Sequence, residues 1–118
     1  MGDKLTFDTY QQRALTTDSF GGKPQPVTSQ AFFAQLLGLV GETGEIAEKF
    51  KKVYRDKQGA WTVDDKMAME KELGDVLWYI SIISTYLDIS LDDVASNNLE
   101  KLKSRLERDQ IHGSGDNR

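Results

Sequence analysis

Four acidic residues have the spacing from which chemistry can be built. Glu42 and Glu45 form an E-x-x-E, and after a gap of 26 residues Glu72 and Asp75 form an E-x-x-D. On a helix, an i, i+3 step puts both acids of a pair on one face with Cβ atoms about 5–6 Å apart, near enough to share a hard cation. Nothing at the same step offsets their charge: Leu39 stands three residues before Glu42 and Trp78 three after Asp75. Acids among apolar neighbours are costly unless something positive sits between them. A divalent ion ligated by oxygen alone meets that need. With no cysteine and one histidine, His112, the donor types suit Mg2+, or Mn2+ in its place, over zinc or copper. The plainer reading is that these are surface acids paired with lysines, since charged pairs are common on solvated helix faces. A di-iron bundle also sets carboxylates on facing helices, but it needs Glu-x-x-His, and Glu72-Leu73-Gly74-Asp75 ends in aspartate.

Glycine accompanies the acids. Gly38, Gly41 and Gly44 lie three apart, and Gly74 stands between Glu72 and Asp75. Each costs about 1 kcal/mol against alanine inside a helix, so their presence needs a cause. Close helix packing is one; close approach of a ligand to the backbone is the other. Either brings the two acidic segments together.

The elements that must position these residues are helical. Apolar residues at three- and four-residue steps, Phe33, Leu36, Leu37, Val40, Ala47, Phe50 and Tyr54, predict a long helix over 30–57, with Ser29 as N-cap and Gly59 just past its end. A helix over 64–87 follows Thr62, with Asp64 and Asp65 in its first turn where the helix dipole favours acids. A fourth starts at Ser90, whose partner Asp93 stands three residues on as in a capping box, and continues to about Gln110. Ahead of these, Leu5, Tyr10, Ala14 and Leu15 predict a short helix over 5–18 with Thr6 as cap, followed by a Gly- and Pro-rich loop over 21–29. The polar tail 113–118, GSGDNR, reads as a loop or free end. No stretch alternates with period two, so the fold class is all-α, a four-helix bundle-like single domain over 1–118 with its helical core at 30–110. From Val76 to Leu87 twelve residues carry no charge. A helix apolar all round must be surrounded, which predicts a symmetric oligomer, a homodimer or homotetramer.

The chain has 118 residues, and its two prolines, Pro24 and Pro26, leave the 92 residues from Val27 onward free of helix breakers. With 19 acidic against 15 basic residues the net charge is -4, the wrong sign for a binder of nucleic-acid polymers. It equals the formal charge of the four acids. No apolar run reaches the roughly 18 residues of a membrane span, and the N-terminus lacks a secretory pattern, so a cytoplasmic protein is expected.

The segment LGLVGETGEIAEKFKKVYRD followed by KELGDVLWYI resembles the MazG-like branch of the all-α nucleoside triphosphate pyrophosphohydrolases. NNLEKLKSR and the closing GSGDNR are similar to small members of that group, and TYQQRAL is a weaker echo. The likeness covers roughly residues 36–118. Many relatives carry a further glutamate where this chain has Gly41, which bears on the number of ions held. The resemblance implies Mg2+-dependent hydrolysis of a nucleoside triphosphate between the α and β phosphates, giving monophosphate and pyrophosphate. It makes Glu42, Glu45, Glu72 and Asp75 the metal ligands, with Glu45 the residue to orient or deprotonate water. A triphosphate also needs cations. Lys49, Lys52 and Arg55 continue helix 2 past the acids, and Asn98, Lys101 and Arg105 share a face of helix 4, so these six are candidates for the leaving pyrophosphate, with Asp116 and Arg118 in the tail as further ones. The helix 4 set reads equally as a solvated charged face. Tyr79, four residues after Asp75, is placed to stack on or cover the base, with core packing as the plainer reading and the one taken for Trp78; Phe32, Phe33 and Trp61 are further aromatic candidates. The competing function is a helical oligomer that binds nucleotide or a protein partner without turnover.

Overall fold

The structure is a computed structural model that describes residues 4–112. The tail with Asp116 and Arg118, and the side chain of His112, which reads from sequence as a surface residue, lie outside the described residues. Four helices are present: α1 (Phe7–Leu15), α2 (Gln30–Lys57), α3 (Val63–Tyr86) and α4 (Leu91–His112), with no strand among the described residues.

Each helix starts where a side chain can take up an unpaired amide. Thr6 and Thr62 close reciprocal capping boxes with Thr9 and Asp65, and Ser29 accepts from Phe32 N. Helix α2 ends on Gln58 and Gly59, both with positive φ (55° and 82°). Gly59 has a second reason to be glycine, because a Cβ there would press on the Tyr54 ring. Helix α1 is shorter than the expected 5–18. Thr16 Oγ1 and Thr17 Oγ1 bond back to the carbonyls of Arg13 (2.6 Å) and Ala14 (2.7 Å), closing the helix at Leu15 and turning Asp18 inward.

Helices α2 and α3 form an antiparallel hairpin whose register is visible from end to end. Lys57 meets Asp65 at 2.8 Å near the turn, and Lys49 meets Glu72 at 3.6 Å. Further along, Glu42 meets Glu72 and Asp75, Gly38 meets Tyr79, and the Phe32 and Tyr86 rings stack with centroids 5.9 Å apart. The far end is fastened by Asp18. Its carboxylate is 5% exposed and accepts from Gln35 Nε2 (2.9 Å), the Tyr86 hydroxyl (2.6 Å) and Phe20 N (3.4 Å). Three donors from α2, α3 and the loop between α1 and α2 thus compensate a buried carboxylate that has no basic partner among the described residues. Trp78 Nε1 adds a bond to Thr17 Oγ1 at 2.8 Å. The core around these groups is small: Ala14, Ala31, Ile82 and Tyr86, with Tyr10, Leu15, Phe32 and Trp78 packed against it.

Helix α4 is joined differently. Gln11 of α1 donates to Thr85 Oγ1 (3.0 Å) and the Ile89 carbonyl (2.9 Å) and accepts from Leu91 N (2.8 Å), so it supplies part of the cap of α4 alongside Ser90. Helix α4 packs on α1 and α3 but not on α2. The bundle expected from sequence therefore stays open within one chain. Its radius of gyration is 17.7 Å, against about 13.5 Å for a compact chain of this length.

The apolar surplus is spread over three helices. Ser81, Ile82, Ser84 and Tyr86 of the uncharged 76–87 segment are buried within the chain, but Leu77, Ile80 and Leu87 of the same segment are exposed, as are Phe33, Leu36, Leu37 and Val40 of α2 and Leu99, Leu102 and Leu106 of α4.

Removing one donor to the Asp18 carboxylate tests its fastening role. Tyr86→Phe is expected to lower unfolding free energy by about 1.5–3 kcal/mol, the range for a hydrogen bond to a charged group. Urea denaturation against wild type measures it; a change under 0.5 kcal/mol means the bond is not a fastener.

Candidate metal centre

The hairpin register brings acids from two helices to one place. Carboxylate oxygens of Glu42, Glu72 and Asp75 all lie within 4.8 Å of one another. Glu42 and Glu72 are half-buried and Asp75 is exposed, so the group is open on one side. The Glu42 carboxyl is raised above its ordinary pKa, first by desolvation, then by a hydrogen bond shared with Glu72 and by the charges of Asp75, Glu72 and Glu45. Like charges held this close favour a proton or a cation between them. Oxygens about a Mg2+ ion lie at most about 4.2 Å apart and about a larger hard cation somewhat farther, so these half-exposed side chains need only small rotations to ligate one. The all-oxygen donor set fits a hard cation.

Glu45 is exposed and stands outside that group of three, one helical turn along α2, near enough for its charge to reach Glu42. Lys49 pairs with Glu72 at 3.6 Å. The offset that is missing at the i, i+3 step along each helix thus comes for Glu72 across the helix pair, as the reading of acids paired with lysines allows. Lys49 and Lys52 also line a cleft of about 300 Å³ together with Lys57, Asp56, Asp65 and Trp61. Arg55 forms a bidentate pair with its neighbour Asp56 (2.8 and 3.1 Å) on the exposed side of α2. Tyr79 lies over Gly38 with its ring perpendicular to that of Trp78 at 4.9 Å. Asn98 and Lys101 are exposed on α4 and Arg105 is half-buried there. Helix α4 makes no contact with α2, so Asn98, Lys101 and Arg105 are not brought against the helix that carries Glu42 and Glu45 within one chain.

Of the other aromatic candidates, Phe32 and Trp78 are engaged in packing on the core. Phe33 lies on an exposed groove with Val27 and Leu36, and Trp61 sits in the lysine cleft against Phe50. Tyr10 was legible in the sequence only as a core position of the first helix. Its hydroxyl is raised above its ordinary pKa by burial and then by the Asp75 carboxylate, which makes it the α1 residue nearest this centre in its electrostatics. A tyrosine on a separate helix carries no spacing signal that would link it to Asp75.

The glycines divide. A Cβ at Gly38 would overlap the Tyr79 ring, whereas at Gly41, Gly44 and Gly74 it would meet nothing within 4 Å. Close helix packing therefore accounts for Gly38 only, and the surface beside the acids is open down to the backbone.

Fold and site together define a class: a protein all-helical among its described residues, in which two antiparallel helices bring Glu42 from one and Glu72 and Asp75 from the other to one place. Within that class the chain belongs to the MazG nucleotide pyrophosphohydrolase domain family, whose model matches residues 30–108. It is 43% identical over 111 residues to the Gene 37 protein of Mycobacterium phage L5, covering 94% of this chain and 97% of that protein. It is 36% identical over 72 residues to the YpjD protein of Bacillus subtilis, covering 61% and 64% of the two chains. Similarity to dCTP pyrophosphatase 1 of Mus musculus is 32% identity over 79 residues, 65% of this chain but 45% of the mouse protein. No solved structure matches. These relationships support a nucleotide pyrophosphohydrolase.

The glycine division is testable by stability alone. Gly38→Ala is expected to lower Tm, because the Tyr79 ring must move, while Gly44→Ala is expected to raise it by the helix-propensity difference of about 1 kcal/mol. Thermal melts of both variants check this, and the same sign for both would show that the space around them does not differ.

Proposed function

We propose that the protein hydrolyses nucleoside triphosphates between the α and β phosphates with Mg2+, yielding monophosphate and pyrophosphate and clearing unwanted nucleotides in the cytoplasm. The observation that carries this reading is the meeting of Glu42, Glu72 and Asp75 within 4.8 Å across two helices. A hard cation held there supplies positive charge to the polyphosphate and lowers the pKa of water in its shell. On this reading Glu42, Glu72 and Asp75 hold the ion, and Glu45 joins them from the solvent side.

The residues have distinct tasks. Glu45, exposed and standing outside the group of three, is the carboxylate we assign to orient water and accept its proton. Lys49 and Lys52, on the cleft that adjoins the acids, receive the departing phosphates. Arg55 reaches them only by leaving Asp56. The open backbone at Gly41, Gly44 and Gly74 lets the substrate come close to the helices, and Tyr79 offers a ring beside that surface. Similarity to a protein named for dCTP supports a deoxynucleotide substrate.

The assay is pyrophosphate release from a panel of ribo- and deoxynucleoside triphosphates with and without Mg2+. Glu42→Gln and Asp75→Asn are expected to lose at least about 100-fold in kcat/KM, as befits loss of groups that act on the reacting centre. If no triphosphate yields monophosphate, or both variants match wild type, the enzyme reading fails and nucleotide or partner binding without turnover takes its place.

We also propose a symmetric homodimer or homotetramer. Phe33, Leu36, Leu37 and Val40 on α2, and Leu99, Leu102 and Leu106 on α4, are apolar residues exposed on two helices of an open chain. A second copy covers them, and it is also a means by which Asn98, Lys101 and Arg105 can serve an acidic centre that stands partly on α2, a helix that α4 does not contact in its own chain. Light scattering at micromolar concentration is expected to give two or four times the 13.3 kDa of the chain. A single monomeric species overturns the assignment.

A further inference from the structure

We propose that Lys49 is a positioning residue of the acidic centre, an internal cation that shares Glu72 with the divalent ion and sets how tightly that ion is held. The inference rests on the metal reading above and concerns the protein's own charge rather than the reaction. Lys49 follows Glu42 by seven residues, two turns on the same face of α2, and its Nζ reaches across to Glu72 Oε1 at 3.6 Å. Glu72 is the inner member of that pair, its side chain 18% exposed against 35% for Lys49.

The contact is loose where its neighbour is tight. Lys57 Nζ lies 2.8 and 2.9 Å from both oxygens of Asp65, the distances of a charge-assisted hydrogen bond, whereas the Lys49 pair is longer and single. Carboxylate oxygens of Glu42 and Asp75 lie within 4.8 Å of Glu72, so one carboxylate faces an ammonium as well as two like charges. An ammonium so near repels a divalent cation entering the group and competes for the same oxygen. It also keeps the acids together when their mutual repulsion would splay the hairpin. Lys49 lines the lysine cleft as well, beside Lys52 and Lys57.

Mn2+ titration without nucleotide tests this, by calorimetry or from the resonance of free Mn2+, on wild type, Lys49→Met, Lys49→Gln and Lys49→Arg. Both neutral variants are expected to bind Mn2+ about three- to tenfold more tightly than wild type, and Lys49→Arg to stay within twofold of it. In EDTA the neutral variants are expected to melt below wild type, and saturating Mn2+ to raise their Tm by more than it raises that of wild type. Equal or weaker Mn2+ affinity in the neutral variants, with wild type binding normally, overturns the proposal. So does an equal loss of Tm with and without Mn2+, which is the signature of a merely structural pair. Absence of Mn2+ binding by wild type overturns the metal reading itself and this inference with it.

Discussion

The antiparallel contact between α2 and α3 is the constraint on which the remaining structure depends, because it holds together side chains that repel. Glu42, Glu72 and Asp75 would separate if the two helices were free to slide or splay. The register is pinned at both ends by interactions of a different kind. At the turn, Lys57 closes on Asp65, whose carboxyl is lowered to about 2 by that ammonium and by the Thr62 amide. At the far end, the buried Asp18 carboxylate draws a donor from each helix. Acidic fastenings at the two ends thus position an acidic centre between them. The difference lies in partners, which are complete at the ends and incomplete in the middle.

Much of this was legible in the sequence because it rests on local signals. The bounds of α2 and the start of α3 follow from Ser29, Thr62 and the Gln58-Gly59 turn, where one side chain or one φ decides the outcome. The i, i+3 acid pairs needed only helical geometry to face one way. What stayed hidden depends on residues far apart in the chain. Asp18 reads as the last residue of an amphipathic helix until Gln35 and Tyr86 are brought to it, and Tyr10 reads as core until Asp75 is brought near. The Lys49–Glu72 pair escaped because charge balance was sought along each helix and not across them. The uncharged run of α3 is covered in part by α1 and α2, which bury Ser81, Ile82, Ser84 and Tyr86 but leave Leu77, Ile80 and Leu87 exposed beside the apolar residues of α2 and α4, a division that composition alone does not show.

The environment of the acids combines openness with charge crowding. Gly41, Gly44 and Gly74 leave the helix surfaces bare beside Glu42 and Asp75, and the desolvated Glu42 lies behind them. Bare backbone lets a large polyanion come close, and crowded carboxylates repel it unless a cation arrives too. Both features are compatible with the nucleotide pyrophosphohydrolase family to which the chain belongs.

Helix α4 is attached chiefly at its base, where Gln11 makes three hydrogen bonds to the α3–α4 junction and Ser90 bonds Asp8 at 3.2 Å. Its 22 residues make an arm about 33 Å long. In mechanical terms it is a cantilever: a tilt of about 10° at the anchorage carries the tip through about 6 Å, more than the length of one helical turn. Asn98, Lys101 and Arg105 ride on the middle of that arm, so their reach is decided some distance away, by how firmly one glutamine on a nine-residue helix grips the joint.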